Sequence, residues 1–266
     1  MINTIIDWLS DPAHWSGSDG VPARLMEHIW YAFLALVIAA VIAIPIGLAI
    51  GHTGRGRFFV VNLAGAARAI PSLGLLYLMV LWLFPKLSGD NAFLVPSIIV
   101  LVVLAVPPIM AGAYAGVEGV DPAARDAAKG MGMTGSEVLR KVEVPCAMPL
   151  IFSGLRSAAL QVIATATIAA VAGLGGLGRF LIDGQKVLDY PQMASGALLV
   201  ALLALAVDLL LALVQRYAVS PGLTGRGAPG GRGRRRGTAS RSSAPGNTHI
   251  DVEIEPGGRT VDVRGG

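Results

Sequence analysis

Apolar residues along this chain gather into long runs, not into the one-sided stripes of a soluble surface helix. Five runs reach the length of about 20 residues that a hydrocarbon core demands. They are 29–50, 58–84, 93–114, 149–174 and 193–217. The second is interrupted by Arg68 and Pro71. Pro71 removes a backbone donor and crowds the preceding turn, so this run is one kinked helix or two shorter ones. A barrel strand alternates apolar and polar residues over about ten positions, and these runs are apolar on all sides. The pattern predicts an all-α protein of the lipid bilayer, with five transmembrane helices, or six if Pro71 divides the second.

The connections differ in kind. Residues 52–57 are short and basic, 85–92 short and mixed, 115–148 long, amphipathic and charged, and 175–192 glycine-rich and then polar. The expected organisation is an external N-terminal segment at 1–28, a transmembrane domain at 29–221 and a tail at 222–266. That tail is rich in Gly, Arg, Ser and Pro, which cannot bury a core, and is expected to be disordered. Residues 1–28 lack a basic stretch before a short apolar core, so the first span is expected to remain in the protein.

Composition agrees with the pattern. Only 14% of residues are charged and 54% are hydrophobic, against about 25% charged in soluble domains. The basic residues near span ends set the orientation. One set of connections carries Arg55, Arg57, Arg125, Lys129, Arg140, Lys141, Arg216 and the tail arginines. The opposite set carries only Arg24, Lys86, Arg179 and Lys186. The richer set is expected in the cytoplasm, with the N-terminus outside and the C-terminus inside. The long 115–148 connection then lies in the cytoplasm. The single Cys146 excludes an intrachain disulfide framework.

That connection has its own local grammar. Asp121 is a good N-cap and Pro122 a good first helical residue, so a helix is expected to about Lys129, ended by Gly130 and Gly132. Thr134 or Ser136 can cap a second short helix to about Val142. Pro145 and Pro149 mark the start of the fourth span. Ala127 and Ala128 are expected to be exposed, where small side chains let another surface approach.

The spacing here resembles a family. Bacterial ABC importer permeases carry a loop of the form Glu-Ala-Ala, three residues, Gly, nine residues, Ile, any residue, Leu-Pro. In this chain Asp126, Ala127 and Ala128 are followed after three residues by Gly132, and after nine more by Val142, Glu143, Val144 and Pro145. Asp replaces Glu, and Val replaces Ile and Leu, which keeps charge and apolarity. Over about residues 24–222 the resemblance extends to Arg68-Ala-Ile-Pro-Ser-Leu, Pro107-Pro-Ile-Met, Ser153-Gly-Leu-Arg-Ser-Ala and Ala172-Gly-Leu-Gly-Gly-Leu-Gly178. These stretches and Lys129-Gly-Met-Gly-Met-Thr134 are similar to permeases of glycine betaine, carnitine, choline and proline importers. The resemblance implies the type I ABC importer permease fold, with a coupling loop at about 116–146 built from Asp126, Ala127, Ala128, Gly132, Val142 and Pro145. It implies a cytoplasmic ABC ATPase dimer as partner, a second permease copy or paralogue, and an external substrate-binding protein. It also implies import of a quaternary amine osmoprotectant, the alternatives being a methionine or other small-solute importer, or a membrane scaffold without transport.

Other features narrow the chemistry. Gly173-Leu-Gly-Gly-Leu-Gly178 fits a dinucleotide fingerprint in letters only, because that needs a strand before it and a helix after it. A tight turn at a helix end is the plainer reading. No phosphate-binding G-x-x-x-x-G-K-[ST] occurs, so ATP hydrolysis is assigned to a partner chain. No catalytic constellation, cofactor motif or metal-ligand spacing is present, and nucleic acid is not an expected partner. Charges inside spans are functional candidates, since placing one in lipid costs at least about 2.5 kcal/mol. Arg68, Arg156 and Asp208 qualify, all at similar depth, so Asp208 is expected to pair with Arg68 or Arg156. Tyr77, Trp82 and Tyr114 are expected as anchors at the membrane interface.

Overall fold

The computed structural model describes residues 2–218, apart from 59, 61, 63, 64 and 66–68. Arg68 and the 222–266 tail therefore lie outside the described residues. The helices are α1 (Ile2–Ser10), α2 (Val21–Thr53), α3 (Ser72–Leu83), α4 (Asn91–Glu118), α5 (Pro122–Gly130), α6 (Gly135–Val138), α7 (Val144–Ala169), α8 (Gly178–Val187) and α9 (Tyr190–Ala218). No strand occurs among the described residues. Four helical segments are long and apolar enough to cross a membrane: Val21–Thr53, Asn91–Glu118, Gly135–Ala172 and Tyr190–Ala218.

The second apolar run is divided. Pro71 sits at φ −65° and ψ 107° as the N-cap of α3, with a bend at Ile70 before it. At about 1.5 Å per residue, α3 spans roughly 18 Å, well short of a hydrocarbon core. Proline forces this break because its ring clashes with the carbonyl one turn back. Pro107 and Pro108 instead lie inside the continuous helix α4. Neighbouring helices can satisfy the freed backbone groups there.

Helix α2 starts eight residues before the apolar run does. Gly20 caps it in extended conformation and Pro22 falls in its first turn. The polar residues Glu27 and His28 are thus part of the helix, held by contacts described below. Residues 2–10 form a further helix, α1, which packs against α9.

Helix α4 is the centre of the bundle, flanked by α2 and α7. Its neighbours approach through small residues. On α2, Ala35, Ala39, Ala43, Gly47 and Gly51 are buried at four-residue spacing, one helical face. A Cβ on Gly47 would stand 2.7 Å from the carbonyl oxygen of Met110. On the other side, Gly112 meets Gly154, and a Cβ on either would come within 2.7 Å of a backbone oxygen on the opposite helix. Small residues at such spacing let membrane helices pack backbone to backbone. Much of α2 and α9 stays uncovered and apolar, including Phe33, Val41, Leu202, Leu205 and Leu209.

The bundle has two polar ends. One carries α5 and α6. There Arg57 pairs with Glu118 at 3.1 Å, and Gln215 Nε2, near the end of α9, donates to the Pro149 carbonyl at 3.1 Å. The other end carries the Gly173–Gly178 turn. There Arg179 and Lys186 both pair with Asp183, and the Lys86 ammonium lies 4.2 Å from the Trp82 ring centroid. The described members of the two basic sets thus sit at opposite ends.

Candidate coupling site

At the first end, local sequence builds a helix–turn–helix. Asp121 Oδ1 accepts from the Ala123 amide at 2.9 Å, and Pro122 follows, so α5 starts as a capped helix. It ends at Gly132, which has φ +84°. The Gly132 amide donates to the Lys129 carbonyl at 2.9 Å and the Met133 amide to the Ala128 carbonyl at 3.2 Å. This pair of bonds is a Schellman turn, which needs a left-handed residue where glycine carries no Cβ penalty. Thr134 opens α6, with its amide bonded to Glu137 Oε2 at 3.0 Å. Lys141 Nζ holds the other Glu137 oxygen at 2.9 Å.

The second helix does not stop at Val142. Residues Gly135–Ala172 run as one continuous helical segment. A π turn at Leu139–Glu143 passes the chain into α7. The Val144 amide bonds five residues back, to the Leu139 carbonyl. Pro145 follows in the first turn of α7, where its missing N–H and its ring are accommodated by the widened turn rather than by a helix end.

That extra residue changes which side chains face inward. Val138, Glu143, Ala147 and Ile151 are the buried stripe, at spacings of five, four and four. Without the π turn, the i+4 position after Val138 would be Val142, which instead is half-buried. Glu143 is only 1% exposed. Its Oε2 accepts from His52 Nδ1 on α2 at 2.6 Å, and Arg125 Nε of α5 lies 3.0 Å from its Oε1. Arg125 also donates to the Val117 carbonyl at the end of α4. His52 and Glu143 carry no spacing signal, and the sequence reading missed both.

Of the loop residues singled out by sequence, Asp126, Ala127, Gly132 and Pro145 are exposed. Ala128 is not: at 1% exposure it packs inward, because it lies on the face of α5 that turns toward the bundle. Met131, 72% exposed, stands beside Gly132 at the tip of the loop. The exposed small residues and this flexible apolar side chain form a surface on which another protein can sit closely.

Deeper in the bundle, Arg156 of α7 grips Asp208 of α9 with two bonds, Nε to Oδ1 at 2.9 Å and an η-nitrogen to Oδ2 at 2.8 Å. Two parallel charge-assisted bonds neutralise both part-buried groups within the apolar spans, where a lone charge is costly. At the far end, the glycine turn is anchored to α2. Glu27 Oε2 accepts from the Gly176 amide at 2.8 Å, and buried His28 bonds the Ile163 carbonyl at 3.1 Å. Gly176 has φ +91° and lies against the His28 ring. Tyr77 and Trp82 are exposed, but Tyr114 is buried against α2 because Gly47 and Gly51 bring that helix close. No group of three or more metal-ligating side chains occurs among the described residues.

Residues 35–220 match the family described as the binding-protein-dependent transport system inner membrane component. The chain belongs to this family, the permeases of ABC importers. It is 33% identical over 199 residues to the glycine betaine/carnitine/choline transport system permease protein OpuCB of Bacillus subtilis (strain 168), covering 75% of this chain and 88% of that one. It is 34% identical over 200 residues to the osmoprotectant import permease protein OsmW of Salmonella typhimurium, covering 74% of this chain and 91% of that one. Among solved structures, an inward-facing form of the MetNI methionine ABC transporter superposes with a TM-score of 0.65 at 20% identity, over 79% of this chain and all of that chain. An amino acid ABC transporter reaches 0.59 at 22% identity, over 74% of this chain and 93% of that one. The permease is therefore a membrane-spanning transport subunit with the ABC importer permease fold.

Proposed function

We propose that this permease imports a quaternary amine osmoprotectant such as glycine betaine, choline or carnitine. Its α5–α6 end faces the cytoplasm and docks an ABC ATPase. The observation that carries the solute class is the three-quarter-length similarity to permeases named for those solutes. The methionine alternative rests on a shared fold at 20% identity. The orientation follows from the basic residues gathered at the α5–α6 end, because positive charge is retained on the cytoplasmic side. The N-terminus is then outside, and the C-terminus inside. Docking falls to the exposed face of Asp126, Ala127 and Gly132, with Val142 and Pro145 at the junction to α7. A substrate-binding protein delivers solute at the glycine-turn end. A second permease, identical or related, covers part of the bare apolar surface of α2 and α9.

The test is uptake of radiolabelled glycine betaine, choline, carnitine and proline. Cells lacking their own importers receive this permease with its candidate ATPase and binding protein, and a Gly132→Asp variant runs in parallel. Uptake of glycine betaine, choline or carnitine, abolished by the variant, is the expected result, and uptake of proline alone removes the quaternary amine assignment. No uptake by an assembled complex removes the quaternary amine assignment.

A further inference from the structure

We propose that Glu143 is a positioning residue that latches the docking helix α5 to the end of α2, making α2 the rod that carries movement of the loop to the opposite end of the bundle. The inference rests on the reading of α5 as the ATPase-docking element.

The two oxygens of Glu143 are claimed by different elements: His52 of α2 takes one at 2.6 Å, and Arg125 of α5 faces the other at 3.0 Å. Arg125 extends the tie to α4 through the Val117 carbonyl. Because the carboxylate is buried, pulling either partner away strips one of its oxygens of a partner out of water, which is unfavourable. The three elements therefore move with the π turn as one body. The His52 ring also stands 3.5 Å from where a Cβ on Gly135 would be, so α6 abuts the same joint. From His52 the helix continues, with Pro45 in its interior, to His28 and Glu27, roughly 36 Å away at about 1.5 Å per residue. There the Glu27–Gly176 and His28–Ile163 bonds tie it to the glycine turn and to α7. A displacement imposed on α5 thus has a continuous, charge-locked route across the bundle. The π turn is what makes the latch possible, since it rotates Glu143 into the buried stripe in place of Val142.

The experiment uses the complete complex, permease with its ATPase and binding protein, in vesicles loaded with ATP. Solute taken up and ATP hydrolysed are measured together. Glu143→Gln keeps the shape and removes the charge. It is expected to retain the ATPase and its hydrolysis, while solute moved per ATP falls on the order of tenfold, the scale of one lost charge-assisted bond. His52→Gln should give the same signature from the α2 side, and His52→Arg, which places a permanent cation and a donor beside the Glu143 carboxylate, should recover the ratio. If Glu143→Gln does not assemble, the two His52 variants decide. An unchanged ratio in His52→Gln, or no recovery by His52→Arg, overturns the latch while leaving the docking reading intact. An ATPase that does not bind the unaltered permease overturns both.

Discussion

Replacing Gly132 by alanine separates two reasons for a glycine at the loop tip. Its φ of +84° lies in the left-handed region, and nothing stands within 4 Å of a Cβ built there. Alanine therefore meets no clash inside the permease, and its cost is purely backbone, roughly 1–2 kcal/mol. Spread over the Schellman bonds, this should raise transient opening of the turn about tenfold, since about 1.4 kcal/mol is a factor of ten. The assay is hydrogen exchange at the Gly132 and Met133 amides, which donate to Lys129 and Ala128. Protection should fall by about that factor in Gly132→Ala and by less in Gly132→Asn, because asparagine visits the left-handed region more readily. Unchanged protection in the alanine variant, or asparagine as damaging as alanine, would falsify the argument that the turn requires this glycine. ATPase co-purification supplies the second arm. If alanine and aspartate both abolish binding while exchange protection stays intact, the glycine serves the partner's close approach instead.

Other expectations follow from the bundle. A Cβ on Gly112 would lie 2.6 Å from the Leu150 carbonyl oxygen and 2.9 Å from Gly154 Cα, so Gly112→Ala must push α4 and α7 apart. The cost is about 1–3 kcal/mol for overpacking, read as a lower unfolding temperature of the detergent-purified permease, and an unchanged temperature would mean the helices can slide. Changing Gly154 as well should add less than its single effect, because the two residues share one contact. Neutralising Asp208 alone strands Arg156 and should lower membrane yield and thermal stability. Exchanging the two charges should recover much of both, and a double exchange no better than either single change would show the pair to be energetically silent. Reporter fusions at the α5–α6 connection and at Lys186 should report opposite sides of the membrane, the first cytoplasmic. The same side for both would break the orientation assignment.

The features fixed by near neighbours were legible in the residues. Apolar run length against bilayer thickness located four spans among the described residues, while the second run, 58–84, holds a helix too short to cross by itself. Asp121, Pro122, Gly132 and Thr134 punctuate α5 and α6 because caps and left-handed turns involve atoms only a few positions apart. Pro71 was legible as a possible break, but neighbouring helices decide whether a proline divides a helix or is absorbed, as Pro107 and Pro108 are. Tertiary structure alone decided the rest. The bonds of Arg156 to Asp208, His52 to Glu143 and Glu27 to Gly176 join residues 52, 91 and 149 positions apart, where no local pattern reaches. Sequence spacing put Ala128 on the outside and passed over Glu143. A helix's inward face is set by the helix it packs against, and one extra residue in a π turn is enough to rotate a charge from the surface into the core.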